Sequence, residues 1–162
     1  MFDLLWKYYE KNQEYVAAAR ILSKLADRHS TELDLRSRVE YLSRAVMCVK
    51  SSEGSRAAGE LLHHLEEKME VARVQLQVKE AVVCLPGGVA QVGRLDSDLL
   101  DITSLYQDWA EPYQLWEAKL AILACAGHPD PMLIENIWSN IITAELDRLA
   151  DSSMATKISA LR

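Results

Sequence analysis

The chain has 162 residues, 49% hydrophobic and 26% charged, which is enough for a domain with a real core and unlike a disordered composition. Its formal net charge of −6 is uneven: residues 1–56 hold ten Lys/Arg against eight Asp/Glu, and the remainder eight against sixteen. Neither part carries the basic stripe that a phosphate backbone requires, so direct nucleic-acid binding is excluded as a role for this segment.

The first predicted element is a helix with Phe2, Leu5, Trp6 and Tyr9 at the spacing of one buried face. Lys11, Asn12 and Gln13 break the pattern, and Tyr15, Ala18, Ala19, Leu22, Ala26 and His29 resume it on a second helix. Arg20, Lys24, Asp27 and Arg28 form the wet stripe of that helix. Alanines on the inner face let two backbones approach, while the rings of the first helix fill the seam. Leu4 and Tyr8 stand apart on a second flank of the first helix. An upstream helix or a partner peptide would have to cover them.

A third helix is expected from Thr31, with Asp34 in the acidic position of a capping box and Leu35, Val39, Leu42, Val46 and Val49 as its buried line. Residues 50–55, KSSEGS, read as a turn. Residues 57–85 then run without a breaker after Gly59 and predict one helix of about 40 Å, with Leu61, Leu65, Met69, Ala72, Leu76 and Val83 facing inward. The segment 86–96, PGGVAQVGRLD, reads as a flexible loop. Asp96 or Ser97 is expected to cap a helix bearing Leu99, Ile102, Tyr106 and Trp109. Pro112 is expected at the first position of the helix after it. The run LAILACA, residues 120–126, predicts a helix covered on most sides, closed by Gly127. Asp130 and Pro131 open a last helix carrying Ile134, Ile137, Trp138, Ile141 and Leu146. The tail DSSMATKISALR reads as a frayed end or a further helix. The fold class is all-α, an irregular stack of about seven antiparallel helices spanning 1–162 as one unit.

No chemistry-bearing constellation is complete. His63 and Glu67 have the i, i+4 spacing of paired ligands but lack a third. The glycines of PGGVAQVG follow a helix rather than a strand and lack a Lys-Ser/Thr pair. Cys125 and His128 read as a core thiol and a loop histidine rather than as nucleophile and base. Cys48, Cys84 and Cys125 each sit among apolar residues, as small buried hydrophobes in a reducing compartment do. No apolar run approaches the roughly 20 residues of a membrane span, and the N-terminus lacks a signal-peptide pattern. A nuclear or cytoplasmic setting follows. No catalysis, metal or cofactor is expected.

The blocks FDLLWKYYEKNQEYVAAARILSKLADRHSTE, LEEKMEVARVQLQ and LDSDLLDITSLYQDWAEPYQLWEAKLAILACAGHPDP closely resemble the large inner-ring scaffold nucleoporins of the nuclear pore complex. In that family a β-propeller precedes a long α-helical solenoid, and the resemblance places this chain inside the solenoid. It spans nearly the whole chain, apart from PGGVAQVGR and the last dozen residues. It implies a structural role at the nuclear envelope in nucleocytoplasmic transport, and binding of short motifs from linker nucleoporins. Among those partners it implies the adaptor nucleoporin with an RNA-recognition-like domain, and an mRNA export factor is a further one. Membrane contact in the family is attributed largely to the propeller, so none is expected here. A helical adaptor of vesicle-coat or regulatory-scaffold type is the alternative that the same helix pattern permits. Leu4 and Tyr8 are the candidate peptide-contacting residues, with an affinity expected to depend weakly on salt.

Overall fold

A computed structural model describes the backbone of residues 2–52 and 56–159 and the side chains of 4–52 and 56–150. The side chain of Phe2, residues 53–55 of the KSSEGS turn and the side chains of the tail therefore lie outside the described residues. The elements are α1 (Phe2–Lys11), α2 (Tyr15–Asp27), α3 (Leu35–Ser51), α4 (Arg56–Val83), α5 (Gly93–Ser97), α6 (Ile102–Ser104), α7 (Trp116–Cys125) and α8 (Pro131–Ser159), with no strand among the described residues. A 3₁₀ turn, Gly88–Ala90, precedes α5, and α6 runs directly into a π-helical stretch, Leu105–Ala110. Helices α1 to α4 pack in succession, α4 packs on α7, and α7 on α8. This is an irregular helical solenoid, and the tail continues α8 rather than starting a new helix.

The opening hairpin forms as its side-chain sizes dictate. Gln13 takes a φ of 63° to reverse the chain, and Trp6 is buried against a second helix whose Ala18, Ala19, Leu22 and Ala26 have no exposed surface. His29 departs from the expected face. It lies beyond the end of α2, exposed, with Nδ1 2.8 Å from a carboxylate oxygen of Asp98.

Helix α3 begins at Leu35, four residues later than expected, because Asp34 is itself the N-cap. Its backbone is extended and its Oδ1 accepts from Ser37 N at 3.0 Å. Leu35, Leu42, Val46 and Val49 are buried as expected and Val39 is half-buried, but Arg38 is buried as well, with no exposed surface. Its guanidinium donates to the carbonyls of Ala26, Arg28, Ser30, Asp96 and Ser97 at 2.6–3.2 Å. Burial pulls its pKa below the usual value, opposed by the nearby carboxylates of Asp98 and Asp96. Asp96 also accepts from Leu35 N at 2.9 Å and from Lys79 at 2.7 Å. The buried Gln75 donates to Leu95 O and Asp98 O and accepts from Leu100 N. Residues 95–100 are thereby tied to α2, α3 and α4 at once.

Helix α4 is 28 residues long, about 42 Å, and serves two cores. Ala58, Leu65 and Ala72 face the α1–α3 cluster; Val74, Val78 and Val82 face a second cluster with Leu95, Leu105, Trp109 and Ile122. The second row starts two residues after the first ends, so it lies on roughly the opposite side of the helix. A single inward line therefore fails past Ala72: Leu76 is half-buried and Val83 exposed.

The segment 86–96 is more structured than the loop expected of it. Gly87 has a φ of 76°, and a Cβ on Gly88 would stand 1.8 Å from the carbonyl oxygen of Val82. The double glycine lets the chain fold back onto the end of α4. Gly88→Ala should destabilise by at least about 1 kcal/mol through forced backbone shift. By contrast Gly93→Ala, with nothing within 4 Å of its Cβ, should be neutral or slightly stabilising in a urea melt.

Neither Asp96 nor Ser97 caps the next helix. Asp101 does, accepting from Thr103 N and Ser104 N at 3.0 Å; the backbone and hydroxyl of Ser104 hold its carboxyl below the usual range. Leu99 precedes the helix instead of belonging to it. Pro112 does not begin α7: it sits in a turn that Gln114 closes with a φ of 51°, and the helix starts at Trp116. Within LAILACA, Ile122 and Leu123 are buried but Ala124 and Ala126 are exposed, so α7 is covered on one side. The end of α7 is as expected. Gly127 has a φ of 61°, its N–H reaches Ala124 O, and His128 N reaches Leu123 O, the paired bonds of a Schellman motif. Asp130 caps α8 through Leu133 N at 3.1 Å.

Candidate interaction surface

Helix α1 is anchored by one side and open on the other. Trp6 and Tyr9 pack on the α1–α3 core, and the Arg44 guanidinium stacks 4.4 Å from the Trp6 ring centroid. Arg44 also reaches Glu10 at 3.3 Å. Glu10 in turn accepts weakly from the Cys48 thiol at 3.9 Å. Burial first, and the Glu10 charge second, push that thiol up, so Cys48 is an inert packing group. These contacts fix the rotation of α1 about its axis.

That rotation turns Leu4 and Tyr8 away from the seam. They stand one turn apart, 70% and 60% exposed. Tyr8 meets Tyr9 edge to face, ring centroids 5.7 Å apart. Lys7 and Lys11 lie on the same side, both exposed, because i, i+3, i+4 and i+7 share one helix face. The sequence reading singled out the two apolar residues and overlooked the two cations beside them.

A second open surface was misjudged from sequence. Trp138 and Leu146, on the apolar line read for the last helix, are 51% and 61% exposed. Of the expected line on α8 only Ile137 is fully buried, while Ile134 and Ile141 are half-buried. Trp138 borders an apolar groove of about 460 Å³ with Leu120, Leu123, Ala124 and Ile134. Ile142, Leu146 and Leu149 extend the exposed apolar stripe along α8. The signal was present in the sequence: α8 carries apolar residues on two sides, more than one neighbour can cover.

The catalytic and metal candidates stay unassembled. His63 and Glu67 approach to 3.4 Å on an exposed face, and no group of three His, Cys, Asp or Glu converges among the described residues. Cys125 is half-buried and its thiol is pushed up by burial and then by Glu70, the wrong direction for a nucleophile. Cys84 is exposed, contrary to the expectation that all three thiols are buried. No helix among the described residues is long and apolar enough to cross a membrane.

Comparison with known proteins accords with this geometry. Residues 1–162 match the family model described as non-repetitive/WGA-negative nucleoporin C-terminal. The chain is 44% identical over 159 residues to nuclear pore complex protein Nup154 of Drosophila melanogaster, covering 94% of this chain but 12% of that protein. The fold matches the C-terminal domain of Nup170 from Chaetomium thermophilum with a TM-score of 0.80 at 25% identity, over 88% of this chain and 27% of that one. The same domain in complex with Nup145N matches with a TM-score of 0.77 at 25% identity, over 88% of this chain and 29% of that one.

Proposed function

Because the chain belongs to the non-repetitive/WGA-negative nucleoporin C-terminal family, we propose that it is a structural segment of the nuclear pore inner ring whose helix faces receive linear motifs of linker nucleoporins. Its place is the nuclear pore complex at the nuclear envelope. The observation that carries the reading is the likeness to a Nup170 domain solved in complex with Nup145N. A solenoid suits this role, since packed helices leave grooves and ridges outside a closed core. The exposed Leu4 and Tyr8 are the contact we propose for such a motif. The adaptor nucleoporin with an RNA-recognition-like domain and an mRNA export factor are further proposed partners of the whole protein. The family match disfavours a vesicle-coat adaptor, and its relatives are nucleoporins rather than enzymes.

The test is titration of linker-nucleoporin fragments into the full-length protein, wild type and Tyr8→Ala. Loss of a buried aromatic anchor should weaken binding by about tenfold. Unchanged affinity in Tyr8→Ala would remove this site. Absence of binding by every fragment would remove the docking role of the segment.

A further inference from the structure

Resting on that reading of the α1 flank, we propose that the segment docking there carries acidic residues beside its apolar anchor. Leu4, Lys7, Tyr8 and Lys11 share one face of α1 and all four are exposed. The lysines form one edge of the strip, and neither makes an ion pair among the described residues. Glu10, three residues after Lys7, is directed at Arg44 instead, at 3.3 Å. Lys7 lies 5.4 Å from the Trp6 ring centroid and has no carboxylate partner among the described residues.

Elsewhere Lys50, Lys68, Lys79 and Lys119 each hold a carboxylate at 2.7–2.8 Å. Lys24 also lacks one among the described residues, but its helix, α2, carries no large exposed hydrophobic. Among the described lysines, those of the α1 flank are thus two without a carboxylate partner that border exposed apolar side chains. An apolar anchor on Leu4 and Tyr8 brings its flanking residues within reach of both ammonium groups, and opposite charges there favour encounter and register. Two lysines are too few for a lipid surface or a nucleic acid, which engage clusters of about four or more basic residues. A peptide with one or two carboxylates matches them in number. Its affinity falls as salt rises, unlike the weak dependence expected from the sequence alone.

Two short synthetic peptides test this on the full-length protein, each with the same pair of leucines, one flanked by glutamates and the other by glutamines. Fluorescence anisotropy should show the glutamate peptide binding roughly threefold to tenfold more tightly at low salt. The Lys7→Gln/Lys11→Gln double variant and raised salt should each abolish that difference, while Tyr8→Ala weakens both peptides. Equal binding of the two peptides, still dependent on Tyr8, overturns the acidic preference and leaves the linker-docking reading standing. Failure of both peptides overturns the preference too, and the docking site falls with it if linker fragments also bind Tyr8→Ala as they bind wild type. Protection of Lys7 and Lys11 from amine acetylation in the peptide-free protein would show another part of the same chain seated there, and would overturn the proposal.

Discussion

Replacing Arg38 by methionine should destabilise the protein by about 3–5 kcal/mol, the cost of breaking a buried polar network from one side. The guanidinium fills its site with no exposed surface and spans carbonyls from the end of α2, the α2–α3 connection and the end of α5. Two effects oppose each other in the variant. Removing the cation ends the desolvation that pulls its pKa down, which is a gain. It also takes the guanidinium from five carbonyls, of which Ser97 O keeps the Ser30 N–H at 3.1 Å, and each stranded acceptor costs about 1–3 kcal/mol unless water reaches it. Even with water at half of them, the loss exceeds the gain. Arg38→Lys separates charge from shape: it keeps a cation, but three donors on one nitrogen cannot span acceptors held by three elements. It should recover less than half of the deficit. Arg36→Met is the control, because Arg36 makes a 3.5 Å exposed pair with Glu80 and should change stability by about 0.5 kcal/mol or less. Urea midpoints of the three variants settle the ordering. Equal effects at positions 36 and 38 would show that the network is dispensable.

Arg38 also marks where sequence reading loses its grip on this fold. Periodicity located α1, α2, α4 and α8 because a helix face repeats within one element and needs no knowledge of its neighbours. The caps at Asp130 and Gly127 were legible for the same reason, since their bonds close within a few residues. Arg38 was not. Its partners are up to 59 residues away, and although it stands between Leu35 and Leu42 on the buried line, a charged side chain there gives no sign of the carbonyls that would receive it. Asp96 misled in the same way: its carboxylate satisfies Leu35, 61 residues earlier, and is not spent on capping the helix that follows it. The face of α4 was half legible, because one stripe describes a helix with one neighbouring core and this helix has two. For the interaction surface, an apolar pair off the main stripe was enough to single out Leu4 and Tyr8. Their exposure, and the lack of carboxylate partners for Lys7 and Lys11 among the described residues, depend on which way Trp6 and Arg44 turn α1. No local pattern encodes that rotation.

Enlarging Ala19 to leucine should cost about 1–3 kcal/mol, because the side chain it displaces into is already full. Ala19 has no exposed surface, and neither do Ala18, Leu22 and Ala26 beside it. Helix α2 packs against both α1 and α3, so a larger residue on its inner face has no direction in which to relax without parting two helices. The added apolar area would contribute favourably if it were buried without strain, at about 25 cal/mol per Å². A close-packed seam denies it that space. The strain should also show beyond α2: displacing α1 moves Trp6 from beneath Arg44 and turns the Leu4–Tyr8 flank with it. Ala19→Leu should therefore quench or shift tryptophan fluorescence in the native state and weaken peptide binding at Tyr8, besides lowering the urea midpoint. Lys24→Ala, on the exposed stripe of the same helix, should leave all three within error, with a stability change of about 0.5 kcal/mol or less. A midpoint for Ala19→Leu indistinguishable from that of Lys24→Ala would mean that the hairpin has slack at its centre, and that the small residues of α2 are not what brings α1 close.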